Sequence, residues 1–61
     1  MINVFLLEPG DRIRLKSGVV AEVTENGKDG QWIEVRYLSP EPGEPGELCH
    51  ADEIVERVAA S

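Results

Sequence analysis

The residues with the most chemical potential form one short cluster near the end of the chain, Cys49-His50-x-Asp52-Glu53. A thiol beside an imidazole suggests either zinc binding or a nucleophile activated by a base. Structural zinc needs about four ligands, and Cys49 and His50 are the only soft candidates in the sequence. A nucleophile must meet its base within hydrogen-bond reach, whereas adjacent residues on a strand point to opposite faces. We therefore expect a buried Cys49, an exposed His50 at a strand end, and no metal, cofactor or catalytic site.

A second candidate is a basic patch for nucleic acid formed by Arg12, Arg14 and Arg36. Such a patch needs arginines that are free to meet phosphates. Glu22 and Glu34 share the outward faces of the same predicted strands, and opposite charges on neighbouring antiparallel strands pair for about 0.2–1 kcal/mol each. The pattern favours mutual neutralisation of these charges over a binding patch.

The third candidate is a protein-binding surface around Trp32 and Leu38. Parity places both on the outward face of one predicted strand, which Trp32 opens and Leu38 closes. An apolar residue that faces out of a small acidic domain is either covered by its own chain or left for a partner, and tryptophan is enriched in binding hot spots. Glu41 and Glu44 in the following loop would steer a basic partner. We expect a partly exposed Trp32, with structural filling of a barrel end as the alternative.

Strands must position these side chains, and three segments alternate apolar and polar residues. Their inward positions include Ile13, Val23, Val35 and Tyr37, which we expect to be buried together. The predicted strands are 12–16, 19–25 and 32–38.

Turn and loop signals separate the predicted strands. Pro9-Gly10 and Ser17-Gly18 mark two tight turns, and Asn-Gly and Asp-Gly pairs mark a longer hairpin loop at 26–31. The loop at 39–47 repeats Glu-Pro-Gly, and it cannot lie inside a sheet because proline lacks a backbone donor. We expect the partner-binding face to lie between these two loops.

The last part of the chain supports two interpretations. A helix over residues 51–59 is one, because Ala51, Ile54, Val55 and Val58 would share one helical face. Alternatively, residues 48–50 form a fourth strand, 51–53 a single 3₁₀ turn and 54–58 a fifth strand. The strand interpretation is favoured because the three upstream strands need a closing partner.

This order of elements resembles an SH3-like small β-barrel. Residues 9–15 look like the first strand of many such domains, and Gly18 followed by 19–23 is similar to the KOW-type unit. Residues 50–56 look like the last acidic turn and strand of the photosystem I accessory subunit with this fold. The resemblance implies one all-β domain: an N-terminal segment at 1–7, a five-stranded barrel at 8–58 with a 3₁₀ turn before the last strand, and a tail at 59–61.

Composition limits the possible functions. The chain has 61 residues and a formal net charge of −6, with six acids but only Arg57 as a base after residue 39. An acidic surface repels phosphate backbones and favours solubility or a basic partner. No segment is long and apolar enough to span a membrane, no signal peptide is evident, and a single cysteine suits the cytoplasm.

These observations favour a non-catalytic interaction or accessory module, a monomer or homodimer, that binds an unknown protein, and the acidic charge favours a basic one. A KOW-type nucleic-acid-associated module is the alternative, and it depends on Arg12, Arg14 and Arg36 being unpaired. An enzyme is the least supported class, because no acid, base and nucleophile converge.

The charge balance yields the first testable prediction. Because counterion release needs clustered lysine and arginine, we expect no specific binding to duplex DNA or RNA at physiological salt. A fluorescence-anisotropy titration across a range of salt concentrations measures this. Micromolar or tighter binding with a steep salt slope would contradict it.

Overall fold

Five antiparallel strands form one sheet, and the three alternating segments become the first three of them. The structure is a computed structural model, and it describes residues 3–58. The order of strands across the sheet is β4-β3-β2-β1-β5. The strands are β1 (Arg12–Leu15), β2 (Val20–Glu25), β3 (Trp32–Ser39), β4 (Glu47–His50) and β5 (Ile54–Val58).

Alternation along the first three strands produces the core. Ile13, Val23 and Val35 are buried together, as predicted. Tyr37 differs from the prediction, because it is only half-buried and packs against the edge of the core. It lies towards the end of β3, where the backbone N–H of Gly43 donates to its carbonyl oxygen at 2.8 Å.

The end of the described chain follows the strand interpretation. A 3₁₀ turn at Ala51–Glu53 connects β4 to β5, so the helical alternative is wrong for the described part of 51–59. The Nδ1 atom of His50 caps this turn by accepting a hydrogen bond from the backbone N–H of Asp52 at 3.1 Å. The predicted tail at 59–61 lies outside the described residues.

Irregular pairing bends the sheet into a barrel-like shape. The register between β2 and β3 shifts between Val20 and Ala21 and again between Val23 and Glu25, and β1 shifts against β5 between Arg14 and Leu15. Such bulges increase local twist and bend a strand. The prediction of a small five-stranded all-β barrel is therefore confirmed.

The N-terminal segment closes this core, a role that the sequence analysis did not assign to it. Residues 4–6 form a short 3₁₀ turn that leaves Val4 and Leu7 buried. The side-chain amide of Asn26 donates to the carbonyl oxygens of both Val4 and Leu7, each at 2.9 Å. Among residues 3–58, no helix is long and apolar enough to cross a membrane.

This packing predicts that two adjacent leucines differ sharply in their effect on stability. Leu7 is 1% exposed and Leu6 is 66% exposed. Leu7→Ala leaves a cavity and should cost about 2–5 kcal/mol of the free energy of unfolding. Leu6→Ala is the matched control and should cost less than about 0.5 kcal/mol. Urea denaturation measures both, and equal losses would show that the N-terminal turn does not close the core.

Candidate functional site

The Cys–His cluster is divided between two sides of β4. The side chain of Cys49 is fully buried in the core, whereas the ring of His50 lies on the opposite, partly exposed face. The Sγ atom of Cys49 lies 3.5 Å from the carbonyl oxygen of His50 and 3.7 Å from Oε2 of Glu53. The two side chains do not meet as nucleophile and base.

The environment of Cys49 also opposes thiolate chemistry. Burial, followed by the neighbouring Glu53 carboxylate, raises the pKa of the Cys49 thiol to about 11. At neutral pH the sulfur therefore keeps its proton, and a protonated thiol is neither a good nucleophile nor a good metal ligand. Within residues 3–58, no group of three or more His, Cys, Asp or Glu side chains is arranged to hold a metal ion.

Two of the three candidate arginines pair with carboxylates on neighbouring strands. Arg36 lies opposite Glu22 in the register of β2 and β3, with Nη2 2.8 Å from Oε1. Arg14 forms a salt bridge with Glu56 across β1 and β5. Arg12 stands opposite Glu22 in the register of β1 and β2. Arg36 thus pairs with a predicted partner, whereas Arg14 pairs with Glu56, which was not predicted, and no salt bridge within the described residues uses Glu34. Both pairs reduce the availability of Arg14 and Arg36 to phosphate.

Trp32 begins β3, and two local interactions fix its position. A carboxylate oxygen of Asp29 accepts hydrogen bonds from the backbone N–H groups of Gln31 and Trp32 at 2.8 and 3.0 Å. Both hydrogen bonds lower the pKa of Asp29, and the bond from Trp32 has the larger effect. The indole meets the His50 ring edge to face, with centroids 4.8 Å apart and an interplanar angle of 87°. The indole is nevertheless 46% exposed, in agreement with the expectation from the sequence.

Trp32 belongs to a shallow groove on the outward face of β2, β3 and β4. Glu25, Glu34 and Leu48 lie in one row across these strands, because Glu25 pairs with Glu34 and Glu34 with Leu48. Trp32 stands two residues from Glu34 on the same face, and Leu48 is 60% exposed. We call this surface the Trp32 groove. Its lining includes Asp29, Trp32, Glu25, Glu34 and Leu48.

The two glutamates of the Trp32 groove interact directly. Glu25 raises the pKa of Glu34, because a hydrogen bond between the two carboxyl groups requires one of them to be protonated and because the charge of Glu25 opposes ionisation of Glu34. Two carboxylates held opposite each other are mutually unfavourable when both are ionised. The groove therefore combines exposed apolar surface with concentrated negative charge.

The other predicted partner-binding residues lie away from this groove. Leu38 is half-buried near the far end of β3, six residues and therefore about 20 Å from Trp32 along the strand. Glu41 and Glu44 are exposed in the loop whose Gly43 packs against Tyr37, also near the far end. The structure does not bring Leu38, Glu41 and Glu44 together with Trp32.

Leu48, Glu25 and the groove-lining role of Glu34 were not predicted from the sequence. Parity alone places Glu34 beside Trp32 on the outward face, so the sequence did contain a signal for this role of Glu34. The alignment of Glu25 with Glu34 follows a register shift after Val23, and strict alternation does not predict such a shift.

Comparisons with known proteins do not identify a relative of this chain. No protein-family model, no curated protein and no solved structure matches the chain. The likeness to SH3-like barrels of the KOW or photosystem type stays a prediction that rests on the residues quoted above.

The geometry predicts that Trp32 contributes less to stability than a core side chain. Trp32→Ala removes a half-exposed ring that buries about 100 Å², and it should cost about 2 kcal/mol. Ile33→Ala, at the adjacent but buried position, should cost about 2–5 kcal/mol. Urea denaturation of the two variants compares them. A loss for Trp32→Ala as large as that for Ile33→Ala would assign the indole to the core and remove the candidate site.

Proposed function

We propose that this domain is a non-catalytic interaction module that binds a basic protein partner through the Trp32 groove. The observation that carries the proposal is the exposure of Trp32 and Leu48 on one face of the sheet, beside Glu25 and Glu34. Tryptophan offers a large contact area at a small cost in side-chain entropy, and it is over-represented among residues that dominate binding energies.

The groove is supported by a rigid scaffold. Trp32, Glu34 and Leu48 are on paired strands rather than on loop tips, and Asp29 and His50 restrain the backbone and ring of Trp32. A surface that is ordered before binding loses less conformational entropy when a partner docks. The arrangement therefore suits recognition by a fixed platform.

Charge supports a basic partner. The chain has a formal net charge of −6, and no salt bridge within the described residues uses Asp29, Glu25 or Glu34. A partner with lysine or arginine around an apolar contact would associate faster and in a defined orientation. The nucleic-acid alternative has less support, because Arg14 and Arg36 pair with glutamates. We further propose the cytoplasm as the compartment, since the chain has a single cysteine.

The test first uses the domain as bait to capture its partner. Purified variants of the domain are then titrated with that partner, and their affinities are compared. Trp32→Ala and Leu48→Ala should each weaken binding of the captured partner by at least about tenfold in a calorimetric titration, as expected for the centre of an interface. Leu6→Ala removes an equally exposed leucine outside the groove and should leave the affinity unchanged. Unchanged affinity in both groove variants would reject the proposed function, as would equal weakening by Leu6→Ala.

A further inference from the structure

The Trp32 groove has a polar end and an apolar side. Glu25 and Glu34 form the polar end, where β2 and β3 pair. Leu48 lies across from Glu34 on the other side, and Trp32 forms the neighbouring wall. Directly opposed side chains on adjacent antiparallel strands have Cβ atoms about 4.5–5.5 Å apart, and diagonal neighbours about 7–8 Å apart. The four side chains border a shallow cavity of about 260 Å³, which can hold one long side chain.

The charge at the polar end is not balanced by the described part of the chain. Salt bridges within residues 3–58 join Arg14 to Glu56, Lys28 to Glu8 and Arg36 to Glu22. None of them reaches Glu25 or Glu34, which face each other. A cation supplied from outside would replace repulsion between these carboxylates by two attractive contacts.

We propose that the Trp32 groove seats an arginine side chain of an extended basic segment, with the guanidinium bridging Glu25 and Glu34 and the aliphatic stem lying along Leu48. This inference rests on the proposed function and names the chemistry of its partner. Arginine fits because its planar fork donates to two carboxylates at once. The same plane can stack on the indole of Trp32, and the three methylene groups cover exposed apolar surface.

Lysine would use the same site less well. Its ammonium is a strongly hydrated point charge that does not match two carboxylates in one plane and stacks less readily on an aromatic face. The geometry therefore points to a preference for arginine over lysine, which a purely nonspecific acidic surface would not show.

The experiment uses a short arginine–glycine peptide without aromatic residues. Trp32 is the only tryptophan in the chain, so its fluorescence reports the groove alone. We expect saturable binding of the arginine peptide, weaker binding of the matched lysine peptide and no detectable binding when citrulline replaces arginine. Equal affinities for the arginine and lysine peptides would overturn the inference, as would an absence of binding by the arginine peptide.

A pair of variants separates the groove from general charge. Glu34→Gln and Glu41→Gln each remove one negative charge, but Glu41 is an exposed residue in the loop away from the groove. Glu34→Gln should weaken binding of the arginine peptide about tenfold, as expected for a lost charge-assisted hydrogen bond. Glu41→Gln should have an effect well below this. Equal effects would show nonspecific attraction and overturn the inference.

A pH measurement adds an independent readout. In the free domain the pKa of Glu34 is raised by Glu25, and the other charged or titratable side chains around it are Asp29 in the loop, Arg36 farther along β3 and His50 on β4. Because the guanidinium binds the ionised carboxylate, bound peptide should lower the pKa of Glu34. The affinity for the peptide should fall as the pH drops below that pKa and the carboxylate is protonated. Carboxyl carbon NMR titrations with and without peptide measure this shift. An unchanged pKa of Glu34 in the complex would overturn the inference.

The two proposals fail differently. If Trp32→Ala loses the protein partner while Glu34→Gln binds it like Glu41→Gln, the arginine site is wrong and the interaction module stands. If Trp32→Ala and Leu48→Ala both bind the partner normally, the interaction surface itself is wrong.

Discussion

The two hydrogen bonds from the side-chain amide of Asn26 to the carbonyl oxygens of Val4 and Leu7 connect the parts of this structure that matter most. They hold the N-terminal turn against the barrel, where Val4 and Leu7 complete a core that contains no fully buried aromatic ring. The Oδ1 atom of Asn26 also accepts from the backbone N–H of Lys28, which fixes the start of the loop before β3. In a chain this short the core is small, so its closure and the position of this loop depend on one side chain.

The same loop positions the start of the candidate site. The ring of Phe5 packs on Gly30, whose positive φ favours glycine, and a Cβ atom at that position would lie 2.8 Å from the ring and displace it. Asp29 then binds the backbone of Trp32. Core closure, loop conformation and the orientation of the indole are therefore one continuous set of contacts. A change that breaks the contacts of Asn26 or Phe5 would therefore alter the Trp32 groove, although the N-terminal turn and the groove are distant in sequence.

The sequence predicts the parts of this molecule that depend on local rules. Alternation and turn residues predict the strands, and parity predicts that Cys49 and His50 separate onto opposite faces. The core role of Leu7 was not predictable in this way, because a three-residue 3₁₀ turn has no period to read. The expected grouping of Trp32 with Leu38, Glu41 and Glu44 fails because β3 is long and the following loop folds back on Tyr37. The facing pair of Glu25 and Glu34 depends on a register shift, which is decided by packing between strands.

The short outer strands have a consequence for association between copies. β4 has four residues and β5 has five, and they form the two edges of the sheet. Pro45 and Gly46 stand directly before β4, and Glu56 and Arg57 lie on β5. Short edges, proline and charged side chains all hinder the addition of a foreign strand. The domain can therefore keep Leu48 and Trp32 exposed while offering little template for edge-to-edge aggregation, the usual hazard of an exposed apolar patch on a β-sheet.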